Sequence, residues 1–263
     1  WLLLRELDAG CEEALWLDTD MIVTRPVSRL LQEFPPGLFM VAEEWDSPQP
    51  EEVAHLWEAP PARAVTPVNS CFIRAAPAHR PLLERWMEKT RDANYRKAQQ
   101  LPFAQRPWRL ASDQVLLSAV LGSAEFSGVP FASIRMGKHI AQCAGSSGYR
   151  PADRLLDLFR GLPAMIHCIG RKPWTPPSAA EADQRFGIDL ATDVSPYVLA
   201  ARKLANDLEM HPPWLATRTA PGAVLRALSG GHPALAGLPL AVAHALYRGL
   251  THTERYTTQI KDF

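Results

Sequence analysis

The sequence is poor in cysteine, and its four cysteines are far apart. Cys11, Cys71, Cys143 and Cys168 form no Cys-x-x-Cys pair, which is the spacing of many zinc and redox sites. A chain of 263 residues buries enough surface to fold without disulfide bridges. The pattern excludes a small disulfide-stabilised scaffold, and we expect reduced thiols and a cytoplasmic protein.

An excess of one charge and a long apolar run are also absent. Lys plus Arg equal Asp plus Glu at 28 each, so no overall positive field favours nucleic acid. The most apolar stretch, residues 234–246, is too short to span a bilayer and contains Pro239 and His244. We expect no nucleic-acid partner, no transmembrane helix and no signal peptide. Because the chain begins with Trp1, close to its first predicted strand, we also expect that an amino-terminal part is missing.

The most informative feature present is the tetrapeptide Leu17-Asp18-Thr19-Asp20, which ends an apolar run. The pattern predicts a strand that delivers two carboxylates to a sheet edge. Residues i and i+2 of an extended backbone point the same way, so Asp18 and Asp20 are expected to share one divalent cation. Carboxylate oxygens suit a hard ion such as Mn²⁺ or Mg²⁺.

Short apolar strands alternate with helical patterns before residue 177. Strands are predicted near residues 14–17, 21–23, 38–42, 68–73 and 164–166, and helices from Pro77 and from Ser112-Asp113. The alternation predicts an α/β fold with a mostly parallel or mixed sheet and helices on both faces. Ligands of such sheets bind beyond the carboxyl ends of strands. Both acids and His167, which follows the last predicted strand, fall there.

Beyond Pro176-Pro177 the sequence changes character. Helical segments are predicted near residues 196–209, 223–228 and 235–250, so residues 178–263 are expected to form a helical appendage. Residues 210–253 contain no Asp, Glu or Lys but three arginines. This composition favours a packed helical cap, and it leaves open a peripheral membrane contact of the C-terminal helices with anionic lipid.

Four blocks occur in order along the chain. They are Leu17-Asp18-Thr19-Asp20, Asn69-Ser70-Cys71-Phe72-Ile73, Asp113-Gln114 and His167-Cys168-Ile169-Gly170-Arg171-Lys172-Pro173-Trp174. Together they resemble the GT-A glycosyltransferases, particularly the family-8-like enzymes related to glycogenin and bacterial lipooligosaccharide galactosyltransferases. The resemblance implies a GT-A, Rossmann-like nucleotide-diphospho-sugar transferase domain over residues 1–177.

The resemblance further implies a hexosyltransferase that binds a UDP-sugar donor through Mn²⁺ or Mg²⁺. The sugar would pass to a saccharide or glycolipid acceptor with retention of anomeric configuration. Asp18, Asp20 and His167 would hold the metal, which would neutralise charge on the departing diphosphate. The donor-binding residues implied in addition are Thr19, Gly170, Arg171 and Lys172.

On the sugar side, the resemblance implies that Asn69, Asp113 and Gln114 are catalytic and orient the donor sugar. Two routes to retention stay open, a covalent intermediate on Asp113 or Gln114 and attack from the face that the diphosphate leaves. Either Glu43 or Glu44 would supply an acid near the donor or acceptor.

The chain departs from the family pattern at three points. One residue, Arg171, separates Gly170 from Lys172 where the family usually has two, and Cys71 stands where Gly is usual. The strands that normally precede the Asp-x-Asp strand are missing. A catalytically inactive nucleotide-sugar-binding relic or fragment is therefore the alternative function. A metal-dependent nucleotidyl or phosphoryl enzyme is a third, although the chain lacks a glycine-rich phosphate loop.

Overall fold

The structure, a computed structural model, describes residues 1–44, 62–63 and 65–247. It is an α/β protein with mixed sheets, as the sequence predicts. Its contacts define two compact units, one of Trp1–Thr19 with Val27–Met136 and one of Asp20–Pro26 with Gly137–Phe263. The chain therefore passes from the first unit to the second within the Asp-x-Asp motif.

In the described residues the strands are β1 (Ala14–Leu17), β2 (Met21–Val23), β3 (Phe39–Glu43), β4 (Val68–Ala75), β5 (Phe131–Ile134), β6 (Ile140–Cys143) and β7 (Met165–Cys168). The α-helices are α1 (Leu2–Asp8), α2 (Val27–Leu31), α3 (Arg80–Arg91), α4 (Ala93–Gln99), α5 (Asp113–Gly122), α6 (Pro151–Arg160), α7 (Arg185–Asp193), α8 (Pro196–Asp207) and α9 (Ala220–Leu228). Residues 238–247 are also helical. All five predicted strands are present, with bounds within two residues of the prediction.

The sheet of the first unit has the strand order β1-β4-β3-β5. β4 runs antiparallel to both β1 and β3, whereas β3 and β5 are parallel. The β3–β4 register shifts where Val41 pairs with Ile73 and Ala42 with Asn69. Such an irregularity bends a strand and redirects the side chains beside it. It lies directly before Glu43 and next to the Asn69 block.

The core of the first unit lies between this sheet and helices α1, α3 and α5. Leu82 and Leu83 of α3 and Leu117 and Leu121 of α5 are buried against Val41, Ile73 and other sheet residues. The apolar residues of both helices recur at helical spacing, which gives each helix one face for the sheet. α5 begins at Asp113, so the predicted first turn with Asp113 and Gln114 is confirmed.

The sheet of the second unit has the order β2-β7-β6, with β2 antiparallel and β6 parallel to β7. Its core joins Ala141 and Ile166 of the sheet to Tyr197, Val198 and Ala201 of α8. Pro196 begins α8, a position where the missing N–H of proline costs no helical hydrogen bond.

Helices α7, α8 and α9 belong to the same compact unit as the second sheet. The contacts therefore do not mark a division at residue 177, and the predicted domains 1–177 and 178–263 stay a prediction. The last predicted helical residues, 248–250, lie outside the described residues. Within the described parts of the chain, none of the helices has both the length and the apolar character needed to cross a membrane.

Candidate functional site

The Asp-x-Asp motif lies in the turn between two strands that the sequence predicts, and the backbone from Asp18 to Asp20 is not the extended one expected there. β1 ends at Leu17, and Thr19 and Asp20 form a turn before β2. The Asp18 N–H donates to the Cys71 carbonyl at 2.9 Å, and the Trp16 indole N–H donates to Asp18 Oδ1 at 2.8 Å. The carboxylate of Asp18 is thus held by Trp16.

The pairing of β2 with β7 brings Asp20 next to His167. Met21 pairs with His167, and the Cys168 N–H donates to the Asp20 carbonyl at 3.1 Å. His167 Nε2 lies 3.3 Å from Asp20 Oδ1, and both residues are buried. The short antiparallel pairing of β2 with β7 therefore brings together two residues that are 147 positions apart in the sequence.

Lys172 reaches back to the same carboxylate. Its ammonium donates to Asp20 Oδ2 and, at 2.6 Å, to the Cys168 carbonyl. Burial raises the pKa of Asp20, but the hydrogen bonds and charges of His167 and Lys172 outweigh it and lower that pKa to about 2. Asp20 is therefore an anion at neutral pH with a cation already beside it.

Asp18, Asp20 and His167 together have the ligands of a metal site. One ligand atom from each lies within 4.8 Å of the others, and Thr19 alone separates the two acids in the chain. Two carboxylates and an imidazole suit Mn²⁺ better than a soft metal. The neighbouring Cys168 is not one of these three residues, and burial raises the pKa of its thiol to about 11. The donor set fits the hard-cation prediction.

Gly170 and Arg171 connect β7 to Lys172. Gly170 has φ +65°, and nothing lies within 4 Å of the position that a Cβ would take. Glycine is therefore favoured here by the left-handed backbone conformation and not by a lack of space. Arg171 donates to Glu181 Oε1 at 2.5 Å and to the Thr175 carbonyl at 3.0 Å. The guanidinium that the resemblance assigns to donor binding is thus paired with a carboxylate here.

A second polar cluster lies in the first unit and is centred on Glu44. The Gln114 amide donates to Glu44 Oε2, and the Asn69 amide donates to the same oxygen at 3.2 Å. Asn69 Oδ1 in turn accepts from the Cys71 N–H at 2.9 Å. Glu43, the other predicted acid, accepts from the Met136 N–H at 3.0 Å instead. Between the two glutamates, Glu44 is the one that joins the predicted sugar-side amides.

Asp113 is held beside this cluster from two directions. The Ser70 hydroxyl donates to Asp113 Oδ2 at 3.2 Å, and the Trp86 indole N–H donates to the Asp113 carbonyl at 2.8 Å. Its carboxylate sits in the first turn of α5, where the helix dipole favours a negative charge.

The sequence interpretation missed three contacts that organise these residues. Trp16 precedes Asp18 by two positions, so strand periodicity could have identified it as a neighbour. No local signal identifies the pairing of Lys172 with Asp20 or of Arg171 with Glu181, because both depend on the turn after β7. Thr19 is exposed in its turn.

Comparison with models of known protein families and with curated proteins found no match for this chain.

Proposed function

We propose that the protein is a metal-dependent glycosyltransferase with a GT-A fold that transfers a sugar from a UDP-sugar to a saccharide or glycolipid acceptor with retention. The observation that supports it most is the convergence of Asp18, Asp20 and His167 with Lys172 beside them. The three ligands suit a hard cation, and the Lys172 ammonium adds a second positive charge. Together they would neutralise the negative charge of a bound diphosphate.

In this proposal, Asp18, Asp20 and His167 would hold Mn²⁺ or Mg²⁺, which would supply Lewis-acid chemistry to the diphosphate when bound. Lys172 adds a second positive charge to the diphosphate oxygens. Its ammonium is anchored by the Cys168 carbonyl, so it can change anion partner while keeping one hydrogen bond. Local cations are needed because the whole chain has no net charge.

Glu44 orients the amides that the resemblance assigns to the donor sugar. An amide fixed by a carboxylate presents its remaining polar atoms in one direction, which favours recognition of sugar hydroxyls. Asn69 and Gln114 are both fixed in this way. Asp113, with one oxygen held by Ser70, is the carboxylate that would stabilise positive charge on the sugar.

The proposal is tested by incubating the protein with Mn²⁺, a panel of UDP-sugars and saccharide acceptors, and following UDP release and product configuration by NMR. We expect turnover that Asp20→Asn abolishes and that Gln114→Ala lowers about a hundredfold in kcat. Gln105→Ala, at an exposed glutamine of the same unit, is the matched control. Turnover that survives Asp20→Asn unchanged would overturn the proposal.

Nucleotide-sugar binding without transfer is the second candidate. It is favoured by the pairing of both basic residues of the motif with carboxylates, Lys172 with Asp20 and Arg171 with Glu181. Metal-dependent binding of UDP-sugars with no turnover on any acceptor would support this candidate.

A further inference from the structure

Helix α6 turns its apolar side chains to solvent. Leu155, Leu156, Leu158 and Phe159 have 49%, 54%, 37% and 91% of their surface exposed. Ala152, Leu155, Leu156 and Phe159 follow the i, i+3, i+4, i+7 spacing of one helix face, and all four are exposed. We call these four residues and Leu158 the α6 apolar face.

The opposite face of α6 is polar and buried. Arg154 is fully buried and donates from Nε to the Tyr149 carbonyl at 2.7 Å, from Nη1 to the Ala236 carbonyl at 2.5 Å, and from Nη2 to the Ser146 carbonyl. Asp157 is 1% exposed and accepts from the Tyr149 hydroxyl. The helix is thus attached to its unit by hydrogen bonds, and the α6 apolar face is not what holds it there.

The charges around the α6 apolar face are mainly positive. Arg150, at the start of the helix, and Lys138 are exposed. Of the two acids of the helix, Asp157 is buried and accepts from Arg160 Nε at 2.5 Å. Asp153 is only partly exposed, and burial raises its pKa although Arg150 and Arg160 oppose the shift. The face therefore presents large apolar side chains with a cationic border.

The extent of the face argues against a stable dimer. A specific protein interface covers roughly 800 Å² on each partner. Five side chains on one helix, of which only Phe159 is almost fully exposed, cover much less than that. A lipid surface needs no such area, because one amphipathic helix with basic flanks binds the headgroup region of an anionic bilayer.

We propose that the α6 apolar face docks the protein on a membrane surface that contains anionic lipids. Leu155, Leu156 and Phe159 enter the boundary between headgroups and acyl chains, and Arg150 and Lys138 face the lipid phosphates. The inference does not depend on sugar transfer, since vesicle binding can be measured without donor or acceptor.

The test is cosedimentation of the whole chain with vesicles of phosphatidylcholine alone or mixed with phosphatidylglycerol. We expect binding to the mixed vesicles that falls at least about tenfold in Leu155→Ser/Phe159→Ser. Arg150→Gln should weaken binding about fivefold, the effect of one basic residue near an anionic surface.

Leu204→Ser/Leu208→Ser is the matched control, because it removes two apolar side chains at the same spacing, 42% and 59% exposed, from α8 and its end. This control variant should bind the vesicles as the native chain does. If the C-terminal helices made the lipid contact instead, the control variant would lose vesicle binding. Unchanged binding by Leu155→Ser/Phe159→Ser, or no binding of the native chain to the mixed vesicles, would overturn the proposal. So would sedimentation equilibrium showing a dimer that this double variant dissociates. Circular dichroism of each variant verifies its fold.

Discussion

At the scale of single residues, Asp20 is the centre of the candidate site. Its carboxylate contacts both His167 and Lys172, and Asp18 lies two positions before it. The sequence predicted that Asp18, Asp20 and His167 converge, since each follows or ends an apolar strand. It could not predict the contact with Lys172, because that contact is set by the left-handed turn at Gly170.

The first prediction concerns Lys172. A metal that binds Asp20 must compete with the Lys172 ammonium, so Lys172→Met should tighten Mn²⁺ binding about tenfold when no nucleotide is present. The same substitution should weaken UDP binding in the presence of Mn²⁺, because the diphosphate loses a cation. Electron paramagnetic resonance of free Mn²⁺ measures the first effect and calorimetry the second. Lys203→Met, at an exposed lysine of α8, is the control, and weaker Mn²⁺ binding by Lys172→Met would contradict the prediction.

The second prediction concerns the pH dependence of stability. The pKa of Asp20 is lowered from 3.8 to about 2 in the folded protein. Its carboxylate therefore stabilises the fold at any pH above the pKa of the unfolded chain, and this stabilisation is lost as the pH falls towards about 2. The shift corresponds to about 2 kcal/mol. In urea unfolding, the free energy of unfolding of the native chain should exceed that of Asp20→Asn by about this amount near neutral pH. At about pH 3 the difference should be about half as large.

Asp207→Asn removes an exposed carboxylate at the end of α8 and serves as the control for charge. It should change the free energy of unfolding by less than about 0.5 kcal/mol at either pH. A difference between the native chain and Asp20→Asn that grows as the pH falls would have the wrong sign for a lowered pKa.

At the scale of elements, short strands with apolar runs were predictable and several helices were not. The five predicted strands are apolar and bounded by acids, prolines or polar residues, which is a strong local signal. Helix α6 was not predicted, although Ala152, Leu155, Leu156 and Phe159 recur at helical spacing. That spacing would have placed the apolar side chains inside, whereas the buried residues of α6 are Arg154 and Asp157.

The third prediction concerns the packing of α9 on Asp193. Asp193 is fully buried and accepts from the N–H groups of Arg218 and Thr219 just before α9. A Cβ at Gly222 would lie 2.4 Å from Asp193 Oδ2 and 2.5 Å from its Cβ. Gly222→Ala should therefore lower the free energy of unfolding by about 1–3 kcal/mol, as overpacking does, in urea titrations.

Gly187→Ala is the matched control, because Gly187 lies within α7 and has nothing within 4 Å of a Cβ. It should raise the free energy of unfolding by about 0.5–1 kcal/mol, the helix propensity of alanine over glycine. A Gly222→Ala protein as stable as Gly187→Ala would show that α9 does not pack against Asp193 as described. The contact was not predictable, since 29 positions separate the two residues.

At the scale of the whole molecule, the chain is an α/β protein of two compact units, and the Asp-x-Asp motif lies where it passes from one to the other. The α/β class followed from alternating strands and helices. The division into units did not, because β1 and β2 are two strands close in sequence that join different sheets. β1 and β2 belong to different units because each pairs with a strand far along the chain, β1 with β4 and β2 with β7.

If Asp20 supports a metal-dependent site for a nucleoside diphosphate, UDP binding must depend on both Mn²⁺ and Asp20. Calorimetric titration of UDP into the native chain and into Asp20→Asn, each with and without Mn²⁺, measures this dependence. We predict that UDP binds the native chain only when Mn²⁺ is present and that Asp20→Asn abolishes this binding, while Asp207→Asn retains it. UDP binding that requires neither Mn²⁺ nor Asp20, or no UDP binding at all, would contradict the claim.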